Sequence, residues 1–174
     1  MRTQFDKIYK QYYKQIFGFV FRLSSSHKDS EDIVQEVFIK LYNELSKNKR
    51  IANKKAWLYK CALNLHLNMK KRYKKMQFTD NINQFEKETD NTIEQDYIRS
   101  EKKQKITEAL KKLSEHEQVL INLYNDDFSY KEISELLGIK YSSVGKTLSR
   151  TIEKLAAQLK IISHGEMYKQ RNII

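Results

Sequence analysis

The 174-residue sequence contains no proline, one cysteine, four glycines and one tryptophan. Without proline no residue lacks a backbone N–H or locks φ, so nothing of that kind interrupts a helix from within. The lone Cys61 rules out an intrachain disulfide and a cysteine-rich zinc site. Glycines at 18, 138, 145 and 165 cannot make a G-x-G-x-x-G turn or a P-loop, which leaves nucleotide-cofactor chemistry without a home. His27, His66, His116 and His164 are scattered without ligand spacing, so neither a metal nor a cofactor is expected and the histidines are read as structural or surface residues. The longest apolar run, Ile16 to Phe21, stops between Lys14 and Arg22 and is far too short to span a bilayer. The first residues show neither an apolar signal core nor a cleavage pattern. A cytoplasmic protein without membrane insertion is the expectation.

Positive charge is what the chain has in excess, with a formal net charge of +11. It is unevenly placed. Residues 1–76 hold 18 Lys+Arg against 6 Asp+Glu, residues 77–101 hold 2 against 7, and residues 102–174 hold 13 against 9. Two basic blocks flanking an acidic one favour a polyanion partner, nucleic acid rather than a membrane surface.

Apolar residues recur at three-four spacing almost throughout, which predicts an all-α protein. Phe5, Ile8, Tyr9, Tyr12, Ile16, Phe19, Val20 and Leu23 outline a first helix. Asp29 or Ser30 can cap a second, with Ile33, Val34, Val37, Phe38, Leu41, Tyr42 and Leu45 as its stripe. After a basic loop, Ser46 to Asn53, a third helix runs towards Lys75 and is expected to bury Trp57, Leu58, Cys61, Ala62, Leu65 and Met69. Its other side lines up Lys60, Asn64, Asn68, Lys71 and Lys75 at steps of four, four, three and four, with Arg72 beside them and Lys49 and Arg50 in the preceding loop. That line offers charge for phosphates and amides for bases. Residues 77–99 lose periodicity, turn acidic and read as a flexible linker.

The most informative stretch is Phe128 to Leu155, which reads as a helix-turn-helix. Ser129 and Glu132 form a capping box, Ile133, Leu136 and Leu137 an apolar stripe, and Gly138 a helix stop able to take positive φ. A second helix would bury Val144, Leu148, Ile152 and Leu155 and present Ser142, Ser143, Lys146, Ser149 and Arg150 to a major groove. An ordinary helical hairpin with a wet outer face would share this spacing, although the polar set is sparse in acidic residues. Upstream, Ile106, Ala109, Leu110 and Leu113 suggest a helix, a further capping box is seen in Ser114 and Glu117, and Val119, Leu120, Leu123 and Tyr124 continue the core.

Together the halves resemble the extracytoplasmic-function subgroup of the sigma-70 family of bacterial RNA polymerase sigma factors, over roughly residues 5–160. Ser30 to Tyr42, Ser-Glu-Asp-Ile-Val-Gln-Glu-Val-Phe-Ile-Lys-Leu-Tyr, looks like the family's polymerase-binding helix. Ala56 to Asn64, Ala-Trp-Leu-Tyr-Lys-Cys-Ala-Leu-Asn, looks like its strand-separating helix. The resemblance implies two small helical domains: residues 1–76 (region 2, core binding and minus-10 melting) and residues 100–162 (region 4, minus-35 recognition), joined by linker 77–99 and followed by a tail, 163–174. It implies that Asp32, Gln35, Glu36 and Lys40 dock on a coiled coil of the polymerase's large subunit. The loop before Trp57 and Asn64 would pocket a base flipped from the single-stranded minus-10 element. Ser142, Ser143, Gly145, Lys146, Ser149 and Arg150 would contact the minus-35 duplex. Expected partners are core RNA polymerase, promoter DNA and an anti-sigma factor; the expected role is promoter-directed initiation in response to a stress or extracellular signal, with no catalysis of its own. Gly145 and Thr147 stand where the family commonly has basic residues, and glycine removes a side-chain contact.

Two other functions would each use part of the sequence. A stand-alone helix-turn-helix regulator explains residues 100–160 but not the Asp32–Tyr42 and Trp57–Asn64 motifs. A nuclease with a metal cluster of Asp80, Glu86, Glu88 and Asp90 would place its carboxylates on an aperiodic segment without rigid support.

Overall fold

A computed structural model describes residues 2–79 and 97–171, with side chains for 3–76 and 104–161. Every described element is helical, and the helices fall into two compact units, α1–α3 and α4–α7. The expected linker lies for the most part outside the described residues. Its edges do not: residues 77–79 finish α3 and residues 97–99 open α4. The carboxylates at 80, 86, 88 and 90 also lie outside them.

In the first unit α1 (Arg2–Ser24), α2 (His27–Ser46) and α3 (Lys54–Thr79) pack pairwise. Ser25, with φ 57°, turns the chain between α1 and α2. The cap of α2 is Ser26, whose side chain accepts from the Asp29 amide at 3.2 Å. Asp29 and Ser30 were the expected caps. Ser30 instead lies wholly buried in the first turn, donating to the Ser26 carbonyl at 2.6 Å and 2.9 Å from the Ser24 hydroxyl. Serine clusters offer several legal caps, and burial of Ser30 decides among them. Ile8, Ile16, Phe19, Val20 and Leu23 of α1 meet Ile33, Val34, Val37, Phe38, Leu41 and Leu45 of α2 in the core.

The buried face of α3 is rotated from the expected one. Leu58, Ala62 and Met69 are buried as expected, but Tyr59, Leu63 and His66 join them, while Trp57, Cys61 and Leu65 are only half-buried. The cause is that α3 packs on both α1 and α2. Tyr59 meets Phe19 at a ring-centroid distance of 4.8 Å, which sets the rotation.

The second unit holds α4 (Tyr97–Lys111), α5 (Glu115–Asn125), α6 (Tyr130–Leu137) and α7 (Tyr141–Arg171). Both expected capping boxes form, Ser114 with Glu117 and Ser129 with Glu132. Gly138 ends α6 in the left-handed region at φ 67°. Ala109, Leu113, Val119, Leu120, Leu123, Phe128, Ile133, Leu136, Val144 and Leu148 make the core. Two expected core positions, Ile106 and Tyr124, are exposed. On α7 the buried row is Val144, Leu148 and Thr151, and Ile152 is exposed. Thr151 can be buried because its hydroxyl donates to the Thr147 carbonyl at 2.9 Å. The helix continues through 163–171, the first nine residues of the segment read as a tail.

Candidate polymerase-docking and nucleic-acid faces

Asp32, Gln35, Glu36 and Lys40 all project from the exposed side of α2, opposite Ile33, Val37 and Leu41. Lys40 and Glu36 form an i,i+4 ion pair at 3.1 Å, and the Glu36 carboxylate raises the Lys40 pKa through that bond. Beside them, Phe5, Tyr9 and Tyr13 of α1 and Val34, Phe38, Ile39 and Tyr42 of α2 line a groove of about 550 Å³, together with Glu31, Asp32 and Gln35. Its α1 wall belongs to an aromatic ladder, Phe5, Tyr9, Tyr13, Phe17 and Phe21. Successive ring centroids along it are 6.0, 5.1, 6.3 and 6.1 Å apart. The sequence reading missed Tyr13, Phe17 and Phe21, although the strict four-residue recurrence of aromatics was visible.

The line Lys60, Asn64, Asn68, Lys71 and Lys75 is exposed along one side of α3, and Arg72 is exposed beside it. Asn53 starts this helix, its Oδ1 accepting from the Ala56 amide at 3.0 Å. Near the other end, the Tyr73 hydroxyl donates to Asp29 Oδ1 at 3.1 Å, tying α3 to the start of α2. The loop before α3 is also fixed. Asn48 takes φ 55°, the Lys49 amide donates to the Glu44 carbonyl at 3.2 Å, and the Lys49 ammonium pairs with the Glu44 carboxylate at 2.8 Å. The bond from Lys49 holds the Glu44 carboxyl below its ordinary range. Lys49 thus shares its charge with a carboxylate while staying exposed, as Arg50 beside it is.

In the second unit, Ser142, Lys146, Ser149 and Arg150 are exposed on α7, and Ser143 and Gly145 are half-buried. The first turn of α7 carries no acidic residue. Thr147 turns its hydroxyl back to the Ser143 carbonyl at 2.8 Å. Gly145 faces Tyr130 of α6: a Cβ there would stand 3.3 Å from Tyr130 Cε2. Behind this surface Glu117 braces two helices, accepting from the Ser114 amide at 2.9 Å and pairing with Lys154 of α7. The Lys154 bond, then those from Ser114, lower the Glu117 pKa to about 2.

Among the described residues no helix is long and apolar enough to cross a membrane, and no three His, Cys, Asp or Glu side chains gather as a metal site would require. The half-buried Cys61 has its thiol pushed up to about 11, mainly by burial, as suits a packing residue.

Residues 8–76 match the family of sigma-70 region 2 and residues 103–155 that of sigma-70 region 4. The chain is 33% identical over 153 residues to the RNA polymerase sigma factor YlaC of Bacillus subtilis, covering 86% of this chain and 88% of that protein. It is 26% identical to the ECF RNA polymerase sigma factor SigE of Mycolicibacterium smegmatis, over 86% of this chain and 59% of that one. Among solved structures it is similar to the sigma factor RpoE of Bartonella quintana in complex with the anti-sigma factor NepR. That likeness has a TM-score of 0.72 at 25% identity and covers 91% of this chain and 98% of the other. With both region-specific halves matched in order and their helices formed, the chain belongs to the extracytoplasmic-function subgroup of the sigma-70 family of RNA polymerase sigma factors.

Proposed function

We propose that this sigma factor divides its work among three surfaces, with residues 1–76 binding core polymerase and opening the minus-10 element and residues 100–162 reading the minus-35 duplex. The observation that carries the division is that each surface is exposed while the opposite side of the same helix is core: Gln35 against Val37, Asn64 against Ala62, Lys146 against Leu148. Asp32, Gln35, Glu36 and Lys40 dock on the large subunit, and the aromatic groove beside them adds apolar area that a helix of the polymerase can bury. Lys60, Lys71, Arg72, Arg50 and, less strongly, Lys49 hold phosphates of the separated strands. Asn64, aided by Asn68, offers amide hydrogen bonds to a base taken out of the stack, offsetting an extrusion cost of a few kcal/mol. On α7, Lys146 and Arg150 take phosphates or guanine edges and Ser142, Ser143 and Ser149 accept or donate at the groove, with Gly145 among them.

The segment 77–99 joins the two readers, and residues 163–174 extend beyond the second. Tethering two small readers on one polymerase supplies the effective concentration that neither has alone, so specific promoter binding belongs to the holoenzyme. The structural neighbour was solved with an anti-sigma factor, which supports a partner of that kind here. The chain acts in the cytoplasm as an initiation factor without catalysis of its own, under a stress or extracellular signal. Run-off transcription with purified core polymerase on genomic DNA fragments tests the reading and locates the promoter. Gln35→Ala with Glu36→Lys should weaken core binding in a titration while leaving helicity unchanged. Tight promoter-specific binding by the free chain, equal to that of the holoenzyme, would favour a stand-alone regulator.

A further inference from the structure

Gly145 stands in the second turn of α7, inside a helix, where glycine is less favourable than alanine. Positive φ does not explain it, since Gly138 is the described glycine with that geometry. The explanation lies across the turn, in the 3.3 Å that would separate a Cβ from Tyr130 Cε2. Tyr130 is the first residue of α6, remains 38% exposed, and is backed by the Tyr124 ring at 6.4 Å. Cε2 is bonded to the carbon that carries the hydroxyl, so the polar end of the ring lies over α7. Helical spacing puts Gly145 beside Ser142 and Ser149, with Lys146 next in the chain. The hydroxyl therefore stands at the edge of the surface assigned to DNA.

We propose that Tyr130 is a DNA-contacting residue: seated over Gly145, its hydroxyl donates to a backbone phosphate at the lip of the major groove. The inference rests on the reading of α7 as the minus-35 helix. In a helix-turn-helix the first helix crosses the backbone while the second enters the groove, so the start of α6 is where a phosphate passes. Tyrosine hydroxyls are among the usual phosphate donors. The contact replaces the one that glycine removes at 145, and replaces it with a neutral group. A neutral donor releases no counterion, so it adds affinity without adding to the salt slope.

The test is holoenzyme titration onto the promoter fragment found by run-off transcription, at several salt concentrations, with wild type, Tyr130→Phe, Lys146→Ala and Arg150→Ala. Tyr130→Phe keeps the ring and its packing, and unchanged far-UV circular dichroism checks the fold. Its closed-complex affinity should fall about fivefold, the worth of one net hydrogen bond, with the salt slope unaltered. Lys146→Ala, if its contact is a phosphate, should flatten the slope by about one unit. Wild-type capture by Tyr130→Phe alongside weakened Lys146→Ala and Arg150→Ala overturns this proposal alone. A slope change of one unit in Tyr130→Phe also overturns it. If none of the three variants alters capture, the assignment of α7 to duplex DNA falls with it.

Discussion

Glu117 holds the second unit together from a position that lends itself to measurement. Its carboxylate closes the capping box of α5 by accepting from the Ser114 amide and hydroxyl at 2.9 and 2.8 Å, and it pairs with Lys154 across to α7. These bonds lower its pKa from the ordinary 4.5 to about 2. A carboxyl depressed in the folded state contributes stability that is complete above its unfolded pKa and lost as pH falls from about 4.5 towards 2. Solvent screens the pair, because the Lys154 side chain is 61% exposed. We therefore expect Glu117→Ala, which removes cap and ion pair together, to cost about 1.5 kcal/mol at neutral pH. For a domain of this size that lowers the midpoint by about 6–12 °C. Glu117→Gln keeps an acceptor for the cap and should lose less. Trp57, the single tryptophan, belongs to the first unit and provides an internal control. The loss should appear in the far-UV circular dichroism melt but not in tryptophan fluorescence. The difference between wild type and Glu117→Ala in the charge-dependent part should fall below half of its neutral value by about pH 3. Equal stability of wild type and Glu117→Ala at pH 7, or a difference between wild type and Glu117→Gln that persists undiminished at low pH, would refute the reasoning.

Gly138→Ala should destabilise the second unit by about 1 kcal/mol in the same melts, because φ 67° strains an L-residue while a Cβ there meets nothing within 4 Å; Gly138→Asn should cost less. Cys61, buried enough to raise its thiol to about 11, should react with a thiol reagent at neutral pH far more slowly than the unfolded chain does, and native reactivity equal to the unfolded rate would contradict its packing. Asn64→Ala in the holoenzyme should leave duplex capture and its salt slope nearly intact but reduce permanganate reactivity of the opened strands, with a pre-melted template rescuing only part of the loss. If it weakened capture as much as Arg150→Ala and left opening untouched, the division between the two DNA-reading surfaces would be wrong.

Helix type and order were legible because periodicity is a local property. With no proline to break them, the stripes of α1 and α2 point to one core, and Ser114, Ser129 and Gly138 announce their caps and stop in the residues themselves. What was not legible depends on neighbours. Whether α3 turns Tyr59 or Cys61 inward is settled by Phe19, forty residues upstream, and whether α7 buries Thr151 or Ile152 by a hydroxyl finding the Thr147 carbonyl. Among three adjacent serines and an aspartate, the cap at Ser26 followed from the burial of Ser30, again a tertiary fact. The exposed lines on α3 and α7 were readable for the converse reason, since a polar stripe needs no partner to be recognised, whereas the set on α2 came from the family resemblance alone.

Side-chain pairing separates residues that the sequence treats alike. Lys49 and Arg50 are consecutive exposed cations in one loop, yet Lys49 pairs with Glu44 at 2.8 Å, so an incoming phosphate must compete with a carboxylate for it. Lys40 and Lys146 differ similarly. Lys40 is matched with Glu36 at 3.1 Å on the same helix, which leaves Glu31 and Asp32 to make the proposed docking patch mildly acidic, so that its hydrogen bonds give orientation rather than attraction for a polyanion. Lys146 stands in a turn of α7 where the neighbouring exposed residues are Ser142, Ser149 and Arg150, a surface that attracts polyanions before contact. The two kinds of proposed surface therefore differ in chemistry: on α2 an ion pair beside an aromatic groove, suited to a protein, and on α7 exposed cations set among serines, suited to DNA.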